Sequence, residues 1–127
     1  MKIAIATDDK KTVRKKHFGE SQYYLIYELL NGEIHSEEIR ENPHVCTGEH
    51  VHGQAIKIVD LLHDCQIFMG RSMGAKSLKH IATKNIEVIV TSIETVDQAL
   101  NYYLNSKDKY FKYYNAEKGT FCECLTR

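Results

Sequence analysis

The chain has 127 residues, of which 43% are hydrophobic and 27% charged, and its formal net charge is zero with histidine neutral. This is the balance of one ordinary globular domain, and the absence of a charge excess argues against a general nucleic-acid or membrane-surface binder. Nothing in the sequence has the length of a bilayer span or the apolar core of a secretory leader, so the expected compartment is the cytoplasm, where the four cysteines are thiols or metal ligands and not disulfides.

In chain order, Lys2 to Thr7 alternates Ile and Ala and is predicted to be a buried strand that ends at Asp8 and Asp9. A loop with the basic run Lys10, Lys11, Arg14, Lys15, Lys16 follows, closing on His17-Phe18-Gly19. Gln22 to Leu30, rich in Tyr, Leu and Ile, predicts a second strand. Asn31-Gly32 tolerates positive φ at both residues and predicts a tight hairpin into a third strand, Glu33 to Arg40, at a sheet edge. Ala55, Ile58, Val59 and Leu62 then form one helical face. Gln66 to Met69 is a short apolar strand ending in the turn Gly70-Arg71-Ser72-Met73-Gly74. A second helix carries Ala75, Leu78, Ile81 and Ala82, and Ile86 to Val90 is a strand covered on both faces. Thr95 and Gln98 have capping-box spacing before a third helix with Val96, Ala99, Leu100 and Tyr103. Alternating helices and strands after a hairpin predict an α/β layer with a parallel portion, whose ligands collect at the carboxyl ends of its strands. From 106 onward Tyr110, Phe111, Tyr113 and Tyr114 precede a turn at Asn115 to Gly119, giving a second hairpin or an extended tail that packs back on the domain.

The densest chemistry lies in Asn42 to Gly53, where His44, Cys46, His50 and His52 fall within nine positions just before the first helix. Imidazole and thiolate are good ligands for borderline and soft metals, and a helix start favours neutral imidazole and thiolate. The plainer reading is a polar connector whose histidines face water. Cys122 and Cys124, two apart on a strand, share a face and are either further ligands or packed thiols. Cys65 and Met73 read as packing residues. His17 is a ligand or a turn residue. The turn holding Gly70, Ser72 and Gly74 offers backbone N–H groups to an anion, or is only a tight turn. The basic run is a solvated loop, or it steers and holds an anionic species.

Met1-Lys-Ile-Ala-Ile-Ala-Thr-Asp8, His17-Phe18-Gly19, Glu41-Asn42-Pro43, His52-Gly53, Gly70-x3-Gly74 and the strand Ile86 to Val90, taken together, resemble the dinitrogenase iron–molybdenum cofactor biosynthesis family, which is related to nitrogenase accessory factors. The resemblance spans the region up to about residue 105 and leaves 106–127 as a Tyr- and Cys-containing extension packing on the same domain. It implies a ribonuclease-H-like three-layer α/β fold, with a mixed five-stranded sheet of order 3-2-1-4-5, strand 2 antiparallel, flanked by helices. It also implies a carrier for an iron–sulfur or iron–molybdenum cofactor precursor, not a catalyst, that works with donor and acceptor proteins. The cofactor-binding candidates are then His17, Gly70, Ser72 and Gly74, and the metal-ligand candidates are Cys46, His50, His52, Cys122 and Cys124. The chain departs from the family in its five-residue Gly70–Gly74 turn, in the cysteine and extra histidines before the first helix, and in its tail. A zinc-binding domain built on the same Cys and His residues is the rival reading. A two-metal nuclease is a third, but Asp8, Asp9, Glu28 and Asp60 make a poor carboxylate set for it.

Overall fold

The computed structural model describes residues 1–43, 54–115 and 117–122. The strands are β1 (Lys2–Thr7), β2 (Tyr23–Leu30), β3 (Glu33–Glu41), β4 (Ile67–Gly70), β5 (Glu87–Thr91), β6 (Phe111–Asn115) and β7 (Thr120–Cys122); the helices are α1 (Gln54–Leu61), α2 (Ala75–Ala82) and α3 (Val96–Leu104). They form one mixed sheet of order β3-β2-β1-β4-β5-β6-β7. The sheet therefore has seven strands, not the five that the family resemblance implied. The order β3-β2-β1-β4-β5 is present, and the C-terminal hairpin extends it on the β5 side. Its cause is legible in the packing. Phe111 and Tyr113 are buried on one face of β6, and Asn115 Oδ1 accepts the N–H groups of Glu117 and Lys118 to close the turn.

The Ile and Ala alternation of β1 sorts the core into two layers. Ile3 and Ile5 face α3, packing with Met69, Ile89, Val96, Ala99 and Leu100. Ala4 and Ala6 face α1 and α2, packing with Ile58, Leu62, Leu78 and Ile81. Small side chains on that second face leave room for rings: Phe18 stacks on Phe68 and meets Tyr24 at an angle, each with centroids 5.0 Å apart. β1 pairs antiparallel with β2 and parallel with β4, and β4 pairs parallel with β5. Asn31 and Gly32 carry φ of 53° and 78°, the geometry that a two-residue hairpin turn demands. Thr95 caps α3 by accepting the N–H of Gln98. Among the described residues no helix is long and apolar enough to cross a membrane.

β3 is an edge strand, mostly exposed, with Ile34 and Ile39 each about half accessible. Four glutamates along it discourage pairing with another strand. Arg40 ties it to the domain. Its guanidinium makes two bonds of 2.6 Å to the two oxygens of Asp64 and one of 3.0 Å to the Leu61 carbonyl. Asp64 also receives Lys2 Nζ at 3.0 Å, so one carboxylate links β1, β3 and the end of α1. The Arg40 hydrogen bonds hold the Asp64 carboxyl well below the usual carboxylate range.

Arg40→Ala is expected to lower unfolding free energy by about 1–2 kcal/mol at neutral pH, read by urea denaturation. Because Asp64 is more acidic folded than unfolded, its contribution is complete above the unfolded value of about 4 and fades as pH falls below it. The gap between wild type and Arg40→Ala should therefore narrow in acid. A gap that is constant from neutral pH into strong acid would show that the guanidinium acts by packing alone.

Candidate functional site

β1, β4 and β5 are parallel, so Thr7, Gly70 and Thr91 end at one edge of the layer. From there the chain turns to β2 on one side and to α2 and β5 on the other. The crevice between β1 and β4 is the switch point at which open α/β sheets hold ligands. The segment 8–22 is bonded to β1 and to the connections after β4 and β5. Arg14 N donates to Ala6 O (2.9 Å), Val13 N to Glu94 O (2.7 Å), and Val96 N to Lys11 O (2.9 Å). Phe18 N donates to Ser72 O at 3.0 Å.

Carboxylates give this segment its shape. Asp9 accepts the N–H groups of Lys11 and Thr12 and the hydroxyls of Thr7 and Thr12. The Thr12 and Lys11 backbone bonds lead in holding its carboxyl well below the usual range. Asp8 accepts the Gln22 N–H and pairs with Arg14 at 2.6 Å. Arg14 Nε in turn donates to the His17 carbonyl at 2.9 Å. Val13, 1% exposed, pins the segment into the α3-facing core.

His17 is exposed, and its Nδ1 lies 3.3 Å from Ser72 Oγ. With Nδ1–H donating to that hydroxyl, the Nε2 lone pair is left for a ligand, the arrangement that orients metal-binding histidines. The next residue supplies the anchor. Phe18 is fully buried, and its carbonyl accepts the Tyr24 hydroxyl at 2.6 Å. A Cβ on Gly70 would sit 3.3 Å from Phe18 Cδ2, so the glycine admits the ring.

A cleft of about 490 Å³ is walled by Asp8, Asp9 and Thr12 to Lys16 from the segment after β1 and by Arg71 and Glu94 from the connections after β4 and β5. That size suits a small-molecule ligand. Arg14 is paired with Asp8, but Lys15, Lys16 and Arg71 have no hydrogen-bond or ion-pair partner among the described residues. The cleft is cationic where it is open.

The sequence candidates separate on this frame. His17 and Ser72 come together, Gly70 lies against Phe18, and Gly74 is the extended residue before α2. Cys122 is half-buried on β7, opposite Tyr113, which is itself opposite Ile89. It is thus three strands from β4, a lateral distance of roughly 14 Å. Cys46, His50, His52 and Cys124 lie outside the described residues. Among the described residues no three His, Cys, Asp or Glu side chains converge as a metal site. Sequence reading missed Arg71 and Glu94 as cleft walls and Arg14 as the residue positioning His17. Arg71 carried a visible signal, a cation inside a strand-to-helix turn. The pairing of Val13 with Glu94 is made by backbone atoms and leaves no trace in residue type.

An uncharacterized protein of Methanocaldococcus jannaschii, MJ0580, is 25% identical over 114 residues, covering 88% of this chain and 92% of that protein. The crystal structure of PH0822 superposes with a TM-score of 0.69 at 21% identity, over 84% of this chain and 92% of that one. The apo form of the orange protein from Desulfovibrio gigas gives 0.68 at 19% identity, over 84% and 88%. These structural likenesses establish the fold. The family described as dinitrogenase iron-molybdenum cofactor matches residues 1–106, and to that family the chain belongs.

Proposed function

We propose that the protein is a small cytoplasmic carrier, not a catalyst, whose cargo is an iron–sulfur or iron–molybdenum type cofactor or its precursor, passed between donor and acceptor proteins. The observation that carries this reading is an open cationic cleft formed by the same connections that bring His17 and Ser72 together, at the switch point of a sheet from this family. Thiolate- and sulfide-rich metal species are anionic, and Lys15, Lys16 and Arg71 suit such a charge. His17 offers Nε2 as a ligand. Cys46, His50 and His52, in the segment between β3 and α1, are the other proposed ligands; Cys122 on β7 is set apart from this site by two intervening strands. The strand order β3-β2-β1-β4-β5 with helices on both faces supports reading this layer as ribonuclease-H-like. The nuclease chemistry known on such layers is disfavoured by the commitment of both nearby carboxylates, Asp8 to Arg14 and Asp9 to its own loop.

Oxygen-free incubation with ferrous iron and sulfide, then gel filtration, tests the reading. Co-eluting iron and sulfide with a visible absorption band is the expected result. Stoichiometric zinc with no sulfide would instead support the zinc domain, and retention of neither would end the carrier reading. Ser72→Ala removes only the partner of the His17 ring and is expected to weaken iron retention by about tenfold or more. Ser72→Thr, which keeps the hydroxyl, should restore it. Equal retention by all three proteins would remove His17 from the ligand set.

A further inference from the structure

Two kinds of side chain line the cleft, and the structure treats them differently. Asp8, Asp9, Glu94 and the Thr12 hydroxyl are the groups able to coordinate a hard metal. Three of these are committed: Asp8 to Arg14 at 2.6 Å, Asp9 to Lys11 and Thr12, and the Thr12 hydroxyl to Asp9 at 2.8 Å. Glu94 alone remains. The cations show the reverse pattern. Only Arg14 is paired, while Lys15, Lys16 and Arg71 face the cavity with no partner among the described residues. Ammonium and guanidinium groups donate hydrogen bonds but do not ligate metals. The cleft is therefore equipped to hold a negative charge and poorly equipped to hold a metal ion directly.

We propose that this cleft is an anion subsite that binds a small, doubly charged oxyanion group and does so without any metal. The inference deepens the carrier reading and rests on it only for the identity of the larger molecule that bears the anion. Two features support a shared site. Lys16 and Arg71 line the cleft and are the sequence neighbours of His17 and Ser72, which themselves lie outside its walls, so two connections serve both the cavity and the imidazole–hydroxyl pair. The cavity also has more room than a single tetrahedral oxyanion fills. The subsite thus grips the non-metal periphery of a cargo whose metal is left for imidazole and thiolate. Glu94 limits the charge the cleft accepts, because its carboxylate opposes an incoming anion.

The test uses the full-length, chelator-treated protein and inorganic phosphate as the probe, titrated by calorimetry at low ionic strength. Saturable binding that weakens with added sodium chloride is expected. Lys16→Glu and Arg71→Glu should each reduce affinity by about tenfold or more. Lys118→Glu, the same charge change in the exposed C-terminal turn, should leave it unaltered. Glu94→Gln should tighten binding, a gain that a damaged fold cannot imitate. Absence of saturable phosphate binding by the wild type overturns the proposal, whatever iron loading shows. Binding that survives both cleft reversals also overturns it, since the anion then sits elsewhere. Phosphate binding with the expected variant pattern, but no retained iron and sulfide, upholds the subsite and defeats the carrier reading.

Discussion

The ring of Phe18 fixes the site. It is fully buried, stacked on Phe68, angled against Tyr24 and admitted by Gly70. Its N–H and carbonyl are both bonded, to Ser72 O and from the Tyr24 hydroxyl. Burying such a side chain contributes about 1.5–3 kcal/mol, enough to offset the backbone entropy of one or two ordered residues. The exposed neighbours Lys16 and His17 have no burial of their own to hold them. They inherit their position from the ring beside them, with Arg14 gripping the His17 carbonyl and Ser72 meeting its imidazole. Core packing on the α1 and α2 face thus becomes placement of polar groups at the carboxyl ends of β1 and β4.

The distribution of ion pairs separates what is structural from what is available. Arg40 is enclosed by Asp64 and Glu38, and it anchors the edge strand β3 to the residues that follow α1. Arg14 is 13% exposed, pairs with Asp8 and shapes the segment after β1. Lys15, Lys16 and Arg71 are left unpaired among the described residues, although Glu94 lines the same cleft. Cations gathered without partners around one cavity repel each other, and an anionic ligand relieves that repulsion. The switch-point position and this charge pattern are independent observations, and both lie at the same end of the sheet.

Much of the frame was legible in the residues because local chemistry dictates it. Asn31-Gly32 specified its hairpin, Thr95 with Gln98 its helix start, and the Ile and Ala alternation of β1 an interior strand with two different faces. Ile58, Leu62, Leu78 and Ile81 are buried on the helical faces that their spacing predicted. The tail was only half legible. Its aromatic run and turn suggested a hairpin, but pairing with β5 is a tertiary choice, made by the burial of Phe111 and Tyr113 against α3-facing residues. Less of the site could be read. His17 and Ser72 were each singled out, yet nothing in a separation of 55 residues says that they meet. The walls at Arg71 and Glu94 depend on backbone bonds such as Val13 to Glu94, which any residue types could make.

The central claim is that cargo binds where the connections after β1, β4 and β5 converge. Amide NMR spectra of the metal-free protein, recorded during oxygen-free addition of iron and sulfide, test that claim most directly. A paramagnetic cluster broadens signals within its neighbourhood, so it reports location independently of affinity. The account expects broadening at Lys15 to Phe18, Arg71 to Gly74 and Ile93 to Thr95 together, with the Asn31-Gly32 turn at the far end of the sheet unaffected. Broadening centred on that turn, or confined to β7 while the three connections stay sharp, would contradict it.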